Sequence, residues 1–107
     1  MSTNVVGLTD ANFEAETSKG VVLVDFWAPR CPPCRAMGPI LERVADAVAG
    51  KAKVGKYNVD EESKAADKFN FRSIPTLIIL QDNTEVERLV GLQLEADLIS
   101  AIMKHTR

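Results

Sequence analysis

The sequence predicts an α/β domain built on a mixed sheet, and three observations carry that expectation. The run VVLVDFW (Val21–Trp27) is apolar on both alternating faces except at Asp25, the pattern of a strand covered on both sides. Strand-like and helix-like periods then alternate through the middle of the chain. Near its end, two further apolar runs are joined by the turn-forming QDNT, which makes an antiparallel pair and so a mixed sheet.

Taken in order, the first element is a short helix through DANFEAETS, with Thr9 placed to cap it. The doubly covered strand follows and takes the centre of the sheet. Beyond the cysteines, Met37, Ile40, Leu41, Val44, Ala45 and Val48 recur at steps of three and four, which makes an amphipathic helix. Gly50 is placed to end it, while Pro39 inside it removes a backbone donor and should bend its axis. AKVGKYNV (Ala52–Val59) reads as the next strand. Asp60 then caps a short helix with Glu61 and Glu62 in its first turn and Ala65, Ala66 and Phe69 on its buried side. TLIIL (Thr76–Leu80) and VERLVG (Val86–Gly91) form a hairpin, because Asp82 and Asn83 between them tolerate positive φ. A last helix carries Leu94, Leu98, Ile99, Ile102 and Met103 on its packed side.

A length of 107 residues suits one domain spanning 1–107. Thirteen basic against fifteen acidic side chains give a net charge of −2, which removes the long-range attraction used by binders of nucleic acid or anionic membranes. MSTNVVGLTDANF has no basic stretch followed by a long apolar one, so the chain reads as mature and cytoplasmic. Two cysteines are too few for a disulfide-stapled secreted scaffold, and a structural bridge would not last in a reducing compartment.

Both cysteines lie in WAPRCPPCRAMGP (Trp27–Pro39). As a staple, a bridge from Cys31 to Cys34 closes so short a loop that it restricts the unfolded chain by only ~2 kcal/mol. As a metal site the pair supplies two of the four donors zinc needs, and the only histidine, His105, reads as a solvated residue at a frayed helix end. A redox couple fits the position. With Cys31 ending a strand connection and Cys34 opening a helix, the first sulfur faces unpaired N–H groups and the positive end of the helix dipole. Both favour thiolate and bring its pKa below the usual value of about 8.5. The second sulfur, deeper in the helix, attacks only after the first has formed a mixed disulfide.

Asp25 is flanked by apolar residues and reads as buried, which raises a carboxyl's pKa; near Cys34 it would accept that thiol's proton. Residues alone leave three neighbours open. Lys56 reads equally as a solvated strand end, Pro75 as the start of an edge strand or a cis turn, and Trp27 as core packing.

VDFWAPRCPPCRAMGP resembles the signature of the thioredoxin family, and SIPT (Ser73–Thr76), about forty residues on, resembles that family's loop bearing a cis-proline. The similarity extends over nearly the whole chain. It implies the thioredoxin fold, a central five-stranded mixed β-sheet flanked by four α-helices, with the dithiol at the N-terminus of the second helix. It also implies a cis Pro75 opposite Cys31, Asp25 as proton acceptor with Lys56 beside it, and Trp27 packed on the active-site loop. Pro32, Pro33, Ile74, Pro75, Val90, Gly91 and Leu92 would form the apolar substrate rim. The implied activity is reduction of protein disulfides by the Cys31–Cys34 dithiol of a monomer, with no bound cofactor. Electrons would come from NADPH through a flavin-dependent thioredoxin reductase.

The chain departs from the family pattern at four places. Pro32 stands where glycine is usual, which removes one N–H and stiffens the loop. Arg30 replaces an aromatic residue, and its cation should modestly favour the Cys31 thiolate. Asn83 and Ser73 each stand where glycine is usual. Two rival functions remain: an oxidant or isomerase on the same fold, separated by redox poise, and a binding module in which the dithiol is dispensable.

Overall fold

In the computed structural model, which describes residues 4–106, the chain opens with a strand, β1 (Val5–Leu8), too short for its period to stand out in the sequence. A short helix, α1 (Phe13–Thr17), follows. Thr9 acts one turn ahead of it, its Oγ1 accepting the Asn12 N–H at 3.2 Å and its carbonyl the Phe13 N–H at 2.9 Å. Then come β2 (Val21–Trp27), α2 (Pro32–Ala47), β3 (Lys53–Asn58), β4 (Thr76–Gln81), β5 (Thr84–Val90) and α3 (Glu95–Met103).

The sheet order is β1-β3-β2-β4-β5, with β1, β3 and β2 parallel and the β4–β5 hairpin antiparallel. At the hairpin turn Asp82 and Asn83 have φ of 49° and 70°, two successive left-handed residues as a type I′ turn requires. Central β2 feeds two cores. Val21 and Leu23 pack with Met37, Leu41 and Val44 of α2 and Leu98 and Ile102 of α3. Val22, Val24 and Phe26 pack on the other face with Phe13, Tyr57, Ile78 and Leu80. Alternation therefore turns Asp25 and Trp27, with Leu23, toward α2.

Four expectations are corrected. Among the described residues there are three α-helices where four were expected; between β3 and β4 the chain makes only a 3-10 turn, Ala66–Lys68. Asp60 caps nothing there, its carboxylate being paired with Arg30 at 3.2 Å. Asp10, just past β1, takes over instead. Its carboxylate accepts the N–H groups of Ser63, Lys64 and Ala65 at 3.2, 3.1 and 2.9 Å and the Tyr57 hydroxyl at 2.6 Å. Amides satisfied from outside have no need to wind into a full helix. Leu94 is the N-cap of α3 and faces solvent, because the chain enters that helix in extended conformation. His105 is largely shielded, with Nε2 3.1 Å from Glu87 Oε1 of β5. No helix among the described residues is long and apolar enough to cross a membrane.

Candidate active site

Two prolines dictate how α2 begins. Both fit the first turn, where backbone N–H groups have no helical partner to lose, and their fixed φ suits a helix start. Cys31 before them is the extended N-cap, and Cys34 is the first residue of the helix with an N–H to give. That N–H donates to Cys31 Sγ at 3.3 Å, and the Arg35 N–H closes the first helical turn on the Cys31 carbonyl at 3.1 Å. Cys31 and Cys34 are joined as a disulfide with Cα atoms 5.2 Å apart. Cys34 is fully buried, whereas a small part of Cys31 reaches the surface.

The loop before β4 meets that sulfur, and the end of β5 is tied to that loop. Cys31 Sγ lies 3.6 Å from the Ile74 carbonyl oxygen, and the Ile74–Pro75 peptide is cis. The Thr76 hydroxyl donates to the Ser73 carbonyl at 2.6 Å and holds this loop. From the end of β5, the Gly91 N–H donates to the Pro75 carbonyl at 2.8 Å; its φ of 87° is one that a side chain would strain. Of the residues expected in the rim, Pro32 and Pro33 are exposed, Ile74 and Gly91 are half-buried, and Val90 and Leu92 flank Gly91 in the open, whereas Pro75 itself is buried.

Below the dithiol helix lies Asp25, 0% exposed, with neither carboxylate oxygen hydrogen-bonded to any described residue. Burial pushes its pKa up to about 7, a rise that the positive charge of Lys56 limits. Lys56 is the β3 residue in register with Asp25, and its Nζ stands 3.9 Å from the centroid of the Trp27 ring. This cation–π contact fixes both residues beside the carboxylate. The core reading of Trp27 holds only in part, since the ring is half-buried and stacked on a cation.

Arg30, directly before Cys31, has its guanidinium 3.2 Å from the Asp60 carboxylate in an exposed ion pair. Among the described residues no group of three or more His, Cys, Asp or Glu is placed to hold a metal ion. Gln93, which the motifs did not mark, ties the rim to α2. The Gln93 N–H donates to Met37 Sδ at 3.4 Å, and its side-chain amide donates to the Val90 carbonyl at 3.1 Å. No local pattern signals such a tie.

The family model described as Thioredoxin matches residues 4–104. The chain belongs to the thioredoxin family. It is 45% identical to the thioredoxins of Bacillus subtilis and Staphylococcus saprophyticus, in each case over 101 residues covering 94% of this chain and 97% of the relative. Its fold is similar to that of a mutant thioredoxin from Halobacterium salinarum, with a TM-score of 0.89 at 34% identity, covering 100% of this chain and 96% of that one. The protein is accordingly a thiol–disulfide oxidoreductase that reduces protein disulfides through a C-x-x-C pair. Thioredoxins act on disulfide-containing proteins, are restored by a reductase and need no bound cofactor of their own.

Proposed function

We propose that Cys31 is the attacking sulfur and Cys34 the resolving one, in a cytoplasmic, monomeric, single-domain disulfide reductase. The observation that supports this assignment is the Cys34 N–H directed at Cys31 Sγ at a helix start, with Cys34 itself out of reach of a partner. A charge-assisted hydrogen bond and the helix dipole both stabilise a thiolate there.

In the reduced protein, the Cys31 thiolate attacks one sulfur of a substrate disulfide. That S–S bond breaks, a mixed disulfide forms, and the other substrate sulfur leaves as a thiolate that takes a proton. Asp25 accepts the Cys34 proton, and the Cys34 thiolate attacks Cys31 Sγ, releasing the second substrate thiol. Two electrons have passed to the substrate, and the protein is left with the Cys31–Cys34 disulfide. A flavin-dependent thioredoxin reductase drawing on NADPH restores the dithiol. Pro75, Ile74, Gly91, Val90 and Leu92, with Pro32 and Pro33, receive the substrate segment.

The test is a pair of variants assayed with an insulin-like disulfide substrate. Cys31→Ser should abolish reduction, and Cys34→Ser should accumulate trapped mixed disulfide. Unaltered turnover in both would overturn the assignment.

A further inference from the structure

Leucine is a poor residue for the position that Leu94 occupies. It is the N-cap of α3, where Ser, Thr, Asp or Asn would accept an orphan N–H, and no side-chain capping bond is made. Nor does burial inside the fold compensate, since the side chain is 70% exposed. Among the described residues the exposed large hydrophobics are Val86, Val90, Leu92 and Leu94, so three of the four fall within five consecutive residues. The stretch is anchored to the dithiol loop at Gly91, which is hydrogen-bonded to Pro75, whose neighbour Ile74 lies against Cys31 Sγ.

The stretch is also held in place. Gln93 is tied through its N–H to Met37 of α2 and through its amide to the Val90 and Gly91 carbonyls at 3.1 and 3.4 Å. With Gln93 drawn inward, Leu92 and Leu94 on either side are presented outward without a loop to order on binding. Pre-organised apolar surface of this kind converts efficiently into affinity.

We propose that Leu94 is a specificity-determining residue of the disulfide exchange: with Leu92 and Val90 it extends the rim into an apolar platform. That platform selects polypeptide substrates carrying a large apolar side chain beside the disulfide to be reduced. The occupant is the substrate chain itself, because the platform begins at Val90, next to the Gly91 that is hydrogen-bonded to the Pro75 carbonyl beside Ile74 and Cys31, and runs on past the end of β5. This inference rests on the assignment of Cys31 as the attacking sulfur.

The experiment uses the full chain and two disulfide-linked peptides that differ only in whether the residues flanking the cystine are leucine or serine. The native protein should favour the leucine peptide by about tenfold in kcat/KM, the value of burying one large aliphatic side chain, through KM and not kcat. Leu94→Ser, which supplies a good N-cap and so protects the fold, should remove most of that ratio. Leu94→Met should restore it, and Val86→Ser, on β5 outside the platform, should leave it as it was. Equal kcat/KM for the two peptides in the native protein, or an undiminished ratio in Leu94→Ser, overturns the proposal and leaves the exchange mechanism standing. Reduction of either peptide by Cys31→Ser would instead overturn the assignment beneath it.

Discussion

The backbone N–H of Cys34 points at the sulfur of Cys31 across 3.3 Å, and the two residues between them, both proline, have no N–H to add. An N-cap side chain ordinarily draws on the donors of the second and third helical residues. Here the second is Pro33, so the Cys31 sulfur has one first-turn donor in place of two. Pro33→Ala restores the other and should stabilise the thiolate further. A hydrogen bond to a charged group is worth about 1.5–3 kcal/mol, which corresponds to roughly one pKa unit or more downward. Alkylation of the reduced variant by iodoacetamide at pH 6 should therefore be severalfold faster than that of the native protein, and an unchanged rate would show that the new N–H does not reach the sulfur.

Gly55 governs a different part of the fold, the seat of β1. A Cβ built there would lie 2.6 Å from Leu8 Cδ1 and 2.8 Å from Cγ, with the Val6 carbonyl at 3.3 Å. Leu8 is buried in the core on that face and cannot swing aside without opening it. Gly55→Ala should cost about 1–3 kcal/mol, the usual penalty of overpacking, read as a lower urea midpoint. No loss would mean that β1 can shift along its neighbour.

What the sequence made legible follows from range. β2, α2 and the hairpin declare themselves through period and turn chemistry confined to their own residues, and so do the cysteines with Asp25 buried behind them. The segment after β3 does not, because DEE signals a helix start locally while Asp10, more than fifty residues earlier, captures its amides. Leu94 has the right spacing from Leu98 and Ile102 for a packed face, yet it precedes the first helical residue and leaves that face. Arg30 shows the same limit at the site: its charge next to Cys31 is plain in the sequence, and its partner Asp60 is supplied by the fold. The ties from Gln93 to Met37 and from His105 to Glu87 join distant residues with no motif between them.

Asp10 yields a prediction about acid. Hydrogen bonds from Tyr57, Ala65, Lys64 and Ser63 hold its carboxyl down at about 2, below the ordinary 3.8. A carboxylate depressed in this way stabilises the folded state above the unfolded value, and that contribution is lost as pH falls from about 4 through about 2. Asp10→Ala should therefore unfold at lower temperature at pH 7 and lose less of its remaining stability between pH 4 and pH 2 than the native protein does. Amide exchange at Ser63, Lys64 and Ala65 should accelerate in the variant before the strands are affected. Retained protection at those three amides would show that the segment holds without its outside cap.

Asp25 has the opposite sign. Its carboxyl titrates at about 7 in the folded protein against 3.8 when exposed, because burial opposes the charge more than Lys56 supports it. Between those values the folded chain keeps a proton that the unfolded chain has released, so stability falls as pH rises from about 4 to about 7. Asp25→Asn removes the ionisation and keeps the shape. At pH 8 it should be the more stable protein by at most about 4 kcal/mol, while at pH 4, where both forms are neutral, the advantage should nearly vanish. A gain equal at both pH values would assign the effect to packing. The same variant should slow release of the mixed disulfide at pH 7 roughly a hundredfold, as expected for a lost proton acceptor, while leaving the first attack by Cys31 less affected. Stopped-flow measurement of the two steps separates them, and equal slowing of both would remove Asp25 from the proton transfer while preserving its place in the stability curve.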